Sequence, residues 1–367
     1  MNTAATAHDM AAIVLRRTTE LARIAAPTGA EQHRAERVRR WWAADGWSPS
    51  TDAVGNVWAQ VTGGHGPGLL VCAHLDTVFG ADVAHEVRAA SGRLWGPSVG
   101  DDSVGVAALS AGASVVRHGR GTGPFWIVAT VGEEGMGNLT GIRHAIATVT
   151  NPLSAVIAVE GNYLGRIVTT GVGSVRLRVR YRGPGGHAWE LADAPSAVHA
   201  VARAASIIAG LTVPGARCSV NVGVIGGGEA INARARDAWF EVDLRADSMR
   251  PLQELEDQAS QVIRDAPPGL SVEVEDLGRR PAGSISVSSP MVRAAIAALG
   301  NSGIAAQISA ASTDANAAYE AGIPGLAIGV TTGAGEHTPA EWIETAPVAT
   351  GLTVLAETIE LVREGRE

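Results

Sequence analysis

Residues Phe125-Trp126-Ile127-Val128-Ala129-Thr130-Val131 form a short, unbroken apolar run, rich in β-branched and aromatic side chains, with glycine close on either side. A run of this kind is a buried strand, so neighbouring layers must cover it. Further strands are expected at 57–61, 68–74 and 155–159. Helical periodicity is expected at 9–25, 30–45, about 102–117 and 138–148. Strands alternating with helices in this way indicate an α/β domain around a mixed, mostly parallel sheet.

The pattern changes near Gly173. Residues 174–181 alternate strictly, with Val175, Leu177 and Val179 on one face and Arg176, Arg178 and Arg180 on the other, as in a half-exposed strand. A helix at 195–210, strands at 218–225 and 238–244, a helix at 251–265 and a strand at 270–274 follow. The order β-α-β-β-α-β is that of a ferredoxin-like α+β sandwich. From about Pro281 the α/β pattern resumes, with helices at 290–299, 316–321 and 346–363 and a strand at 325–330. The expected organisation is therefore a catalytic domain in two parts, 1–172 and 282–367, with residues 173–281 inserted.

Composition removes several function classes. All 29 basic residues are arginine, and the chain has no lysine. Schiff-base, pyridoxal-phosphate and P-loop chemistry all need an amine and are excluded. The net charge of −8, without a concentrated basic arm, argues against a nucleic-acid partner. No apolar run reaches the about 18 residues that span a bilayer, and the N-terminal segment makes a poor signal peptide. A cytoplasmic protein with no membrane partner is expected. Cys72 and Cys218 lie in apolar strands and read as buried free thiols.

The chemistry-bearing residues cluster at strand ends. Glu133 and Glu134 follow the 125–131 strand directly. Adjacent carboxylates at a core rim repel one another and lose hydration, which a bound cation would offset; an exposed acidic turn is the plainer reading. In Val71-Cys72-Ala73-His74-Leu75-Asp76, His74 and Asp76 share a face, suiting a metal ligand with a carboxylate that orients its ring, or a lone histidine beside a surface acid. Asp102 opens the next helix as an expected N-cap, leaving Asp101 free to point into the cleft. Glu160 ends the 155–159 strand, where Glu-Gly also suits an ordinary turn. His337 lies in the loop after the 325–330 strand. Ligands of open α/β sheets gather at that edge. Two histidines and several carboxylates suit Zn, Mn or Co. More ligands are present than one ion needs, and a carboxylate-bridged pair, roughly 3.5–4 Å apart, is the natural count.

The ordered segments HLD (74–76), GDD (100–102), GEE (132–134), VEG (159–161) and EHT (336–338) resemble those of the co-catalytic zinc metallopeptidases that include aminoacylase, carboxypeptidase G, succinyl-diaminopimelate desuccinylase and peptidase T. The resemblance covers nearly the whole chain, and it implies that the insertion is a lid and dimerisation domain of a homodimer. It implies that His74, Asp101, Glu134, Glu160 and His337 hold two divalent ions, most often zinc, with Asp101 bridging. Glu133 is then the general base and Asp76 orients His74. In the insertion, Gly183-Pro184-Gly185-Gly186-His187-Ala188 resembles the segment whose histidine stabilises an oxyanion across the dimer; a plain Gly/Pro turn is the alternative. Asn232 and Arg245 match positions that grip substrate, and Arg245 also reads as a surface charge. Many members carry lysine where this chain has Ser103, a position that is not a ligand. Glu160, rather than Asp, resembles acylases and carboxypeptidases more than peptidase T.

The expected activity is hydrolysis of a peptide or N-acyl amino acid bond in a small substrate. Alternatives within the family are an aminopeptidase, a di- or tripeptidase, or a hydrolase of a non-peptide C–N bond. Two readings lie outside it. Gly96-Pro97-Ser98-Val99-Gly100 has the form of a serine-hydrolase elbow, with Asp314 and His337 downstream, although 91–95 is too short and polar for the strand an elbow needs. A non-catalytic binding relative would normally have lost a ligand or the base.

Overall fold

The computed structural model describes residues 3–116, 123–212, 215 and 217–365. They form two compact units, Met1–Gly171 with Ser284–Glu367, and Val172–Gly283.

The first unit is built on a nine-stranded mixed sheet. At its centre Phe125–Thr130, Gly68–His74, Leu153–Val159 and Gly325–Ile328 lie side by side and parallel. Their continuous apolar sequence has a direct cause, because successive side chains point to opposite faces and both faces are covered. Leu69, Val71, Ala73, Ile127 and Ile157 join one core, with Leu109, Val292 and Leu355 from the helices Val104–Val116, Pro290–Asn301 and Val348–Glu364. Leu70, Cys72, Val128, Val156 and Ala158 join the other, with Ile142 from the helix Thr140–Thr148 and Ala318 from Ala315–Glu320. His74 pairs with Thr130, Cys72 with Ala158, and Val159 with Ile328. The four C-terminal ends thus share one edge.

The second unit is a four-stranded antiparallel sheet in the order Cys218–Gly227, Asp237–Ala246, Gly173–Arg182, Ser271–Arg280. This is the ferredoxin-like arrangement. Val175, Leu177, Val179, Phe240, Val242 and Leu244 form its core with Ile208 of the helix Ala197–Ala209 and Leu252 and Ile263 of Met249–Arg264. On the opposite face cross-strand ion pairs join Arg178 to Glu241 and Glu275, and Arg176 to Asp243.

Several details differ from the sequence reading. The helix expected from Asp102 begins at Val104, after a π-turn at Val99–Ser103; its expected end, Arg117, lies outside the described residues, as do the terminal residues 1–2 and 366–367. Strands Arg166–Gly171 and Gln307–Ala311 were not anticipated, nor was the small sheet of Arg88–Ala90, Arg93–Trp95, Trp342–Glu344 and Gly333–Ala334. Strands of two or three residues carry no periodicity to read. Cys72 is buried and Cys218 half-buried, both unbridged. Among the described residues no helix is long and apolar enough to cross a membrane.

Two glycines test the packing. A Cβ on Gly351 would lie 1.9 Å from the Val330 carbonyl, whereas one on Gly300 meets nothing within 4 Å. Alanine favours both helices by about 0.5–1 kcal/mol, but overpacking costs about 1–3 kcal/mol. Gly300→Ala should therefore raise, and Gly351→Ala lower, the midpoint of a urea unfolding curve. A stabilised Gly351→Ala would contradict the close approach.

Candidate active site

The parallel strand ends carry His74, the Glu133-Glu134 turn and Glu160, and the loop beyond Gly325–Ile328 carries His337. Asp101 lies among them. Its Oδ1 is 2.9 Å from His74 Nε2, and its Oδ2 is 3.1 Å from His337 Nε2. His337 Nε2 is also 3.2 Å from Glu134 Oε1. Three sets of side chains have donor atoms within 4.8 Å of one another: His74, Asp101 and Glu160; Asp101, Glu134 and His337; His74, Glu133 and Glu134. Asp101 belongs to the first two.

The residues around this cluster are held by buried carboxylates that accept backbone N–H groups. Asp76, fully buried, accepts from Glu133 N at 3.0 Å, Glu134 N at 2.8 Å and the Thr28 hydroxyl at 2.9 Å. Its Oδ1 is 3.5 Å from His74 Nδ1, which also faces the Asp76 carbonyl at 3.0 Å. One acid thereby orients the His74 ring and fixes the backbone of both glutamates. Asp102 is not the expected N-cap. Its carboxylate is fully buried and accepts from His74 N at 3.2 Å and Gly161 N at 2.8 Å, tying two strand ends together. The peptide bond between Asp101 and Asp102 is cis, and the two carboxylates serve different partners. Glu31 accepts from Gly132 N at 3.2 Å, and Glu341 from Gly100 N and Asp101 N, each at 2.7 Å. Arg34, fully buried, supplies positive charge near this acidic layer and donates to the carbonyls of Ile24 and Leu75 and to Ser98 Oγ. Asn162 donates to Glu336 beside His337. Sequence reasoning missed Thr28, Glu31, Arg34, Asn162 and Glu341. The one available signal was the position of the charged Glu341 directly before the apolar Trp342-Ile343 pair.

The electrostatics reflect crowding of acids. Burial pushes the Glu160 carboxyl well up; Asp102, Glu133 and Asp101 add to this and His74 opposes it. Burial likewise raises Asp102. Asp101 goes the other way, since bonds to His337 and His74 overcome its burial and hold it below the carboxylate range. Burial works against charge on His74, but bonds to Asp101 and Asp76 raise it well above 6.5. Bonds to Asp101 and Glu134 bring His337 up to about 10. In the metal-free chain, protons therefore compensate what a cation would otherwise compensate. The donor set of imidazoles and carboxylates, with no thiolate, fits a divalent ion of the Zn, Mn or Co type.

Three further predicted residues belong to the second unit. His187 and Asn232 come close in the second unit, where Gly186–His187 pairs with Ala233–Arg234 and Ala188 N donates to the Asn232 carbonyl at 2.9 Å. Both side chains are exposed. Arg245 pairs with Asp243 on its own strand at 2.9 Å. Ser98 is fully buried, and its hydroxyl accepts from Arg34 at 2.7 Å. The strand before it, Arg93–Trp95, belongs to the small antiparallel sheet. His337 faces Asp101 and Glu134, and the Thr130 hydroxyl is bonded to Asp314 at 2.6 Å. The serine-hydrolase reading therefore fails, because its serine is sealed in the core with a guanidinium as partner.

The raised histidines give a pH prediction. The folded value of His337 lies above 6.5, so its contribution to the metal-free fold is complete below that pH and is lost as pH rises through about 10. A metal ion requires the neutral ring. Zinc uptake at pH 7 should thus release at least about two protons per chain, and affinity should rise between pH 6 and pH 8. Calorimetry in buffers of different ionisation enthalpy measures this; heats independent of the buffer would contradict it.

The sequence matches the model of peptidase family M20/M25/M40 over residues 70–361. No curated protein matches the chain in sequence. In structure it is similar to a tripeptidase from Staphylococcus aureus, with 21% identity, a TM-score of 0.80, and 96% of this chain and 99% of that one covered. It is also similar to aminopeptidase PepT from Bacillus cereus, with 19% identity, a TM-score of 0.77, and coverage of 96% and 98%. A third similar structure is a Bacillus subtilis protein described as a dinuclear metal binding peptidase, with 17% identity, a TM-score of 0.71, and coverage of 98% and 100%. With acidic and imidazole side chains gathered at one sheet edge and the family model spanning most of its length, the chain belongs to peptidase family M20/M25/M40 and is a hydrolase of peptide-type bonds.

Proposed function

We propose that the chain is a two-metal amidohydrolase acting on a peptide or N-acyl amino acid bond of a small substrate. The observation that carries this is the Asp101 carboxylate, which presents one oxygen to each of two imidazoles. His74, Asp101 and Glu160 would hold one ion, and Asp101, Glu134 and His337 the other. Two zinc ions bound there would lower the pKa of a water and polarise the scissile carbonyl. Glu133 takes a proton from the attacking water and delivers it to the leaving nitrogen. Its backbone N–H on Asp76 supports this role, because the same acid also orients the His74 ring. Adjacency keeps the base within reach of the water that its neighbour's ion would activate.

His187, supplied by a second copy of the chain through the Val172–Gly283 unit, is assigned to oxyanion stabilisation, and Asn232 and Arg245 to holding the substrate. Trp189 and Ile231, which flank His187 and Asn232, are 85% and 104% exposed, which favours a segment that becomes covered in use. Glu160 supports N-acyl or C-terminal substrates. The likeness in fold to a tripeptidase and an aminopeptidase keeps a tripeptidase as the second reading. A cytoplasmic location completes the proposal.

Glu133→Gln should keep the wild-type metal content, measured by elemental analysis. It should lower hydrolysis about 100- to 10,000-fold across a panel of N-acyl amino acids, dipeptides and tripeptides. Turnover near wild type would remove Glu133 as the base. His187→Ala should lower kcat while leaving metal content unchanged.

A further inference from the structure

The segment Gly96-Pro97-Ser98-Val99-Gly100 takes no part in the chemistry above, yet it leads directly into Asp101. Asp101 itself has φ −115° and ψ 89°, outside helical values, so the turn that contains it does not fix its backbone. Something from outside the segment must do so.

Glu341 meets that need. It is fully buried at the start of the Trp342–Glu344 strand. Its carbonyl accepts from Gly96 N at 2.9 Å, and its Oε1 accepts from Gly100 N and Asp101 N, both at 2.7 Å. The Ser98 backbone N–H also bonds this buried carboxyl group. Burying a carboxyl group is costly, and here the return is confined to the backbone amides that lead into and include Asp101. Gly100 is shaped to the contact, since a Cβ there would lie 2.7 Å from Glu341 Oε1 and 3.0 Å from Ile343. At the far side Ser98, in the left-handed region at φ 57°, is held by Arg34.

We infer that Glu341 is a positioning residue for Asp101: by accepting the Gly100 and Asp101 amides through a single oxygen, it sets the carboxylate that faces both His74 and His337. The inference rests on the reading of Asp101 as a shared metal ligand. The Ser98 segment is accordingly a bracket for that ligand.

Reach and acid chemistry separate in two substitutions, tested on the full metal-free chain by Zn2+ titration against a chromophoric chelator. Glu341→Asp keeps a carboxyl group but is one methylene too short. It should weaken Zn2+ binding about 10- to 100-fold, the usual loss for a residue that orients a ligand. Glu341→Gln keeps an oxygen at the same reach without the carboxyl group, and should stay within a few-fold of wild type. Gly100→Ala, which pushes the carboxylate off its amides, should reproduce the loss. Wild-type affinity in Glu341→Asp or Gly100→Ala, or a loss in Glu341→Gln as large as in Glu341→Asp, overturns the inference. Should either short-reach variant fail to fold in a thermal melt, the other and Glu341→Gln still decide it. A wild-type chain that binds no Zn2+ rejects the two-metal reading instead.

Discussion

The candidate site depends on one repeated interaction, a buried carboxylate accepting backbone N–H groups at or beside a chemistry-bearing residue. Asp76 holds Glu133 and Glu134, Asp102 holds His74 and the residue after Glu160, and Glu341 holds Asp101. Bonds of this kind are directional, so they fix the backbone that carries each site residue. The side chains of His74, Asp101, Glu133, Glu134 and Glu160 converge beyond them. An acidic inner set behind which stands a second acidic set would be unstable without positive charge. Arg34 supplies some of it from within, and the protonated imidazoles, or ions replacing those protons, supply the rest.

The sheet makes this layering available. Four parallel strands buried on both faces deliver their C-terminal ends to one edge, where the chain must leave the ladder. Backbone amides just past a strand end have no partner on the sheet, and a buried carboxylate is the strongest acceptor they can find. The same acids that complete the fold thus also hold the backbone of the candidate site. Stability and site geometry are therefore coupled here.

Much of this was legible in the sequence. The run at 125–131 announced a buried strand, and strict alternation at 174–181 announced a strand with one wet face. The candidate cluster was legible because its members end a strand, lie just past one or sit in a loop beyond one. What escaped notice was governed by distant partners. Asp102 obeys a local rule as an N-cap, but His74 and Gly161 outcompete the helix for its carboxylate. Ser98 fits an elbow motif locally, but Arg34, distant in sequence, claims its hydroxyl. Glu341 contacts residues more than two hundred positions earlier, and no periodicity encodes that.

The central claim is that Asp101 is shared by two ions between His74 and His337. Anomalous diffraction at the zinc edge, on crystals of the zinc-loaded chain, tests it most directly. Two peaks are expected, one on each side of the Asp101 carboxylate and roughly 3.5–4 Å apart. A single peak, or two peaks of which neither contacts Asp101, would contradict it.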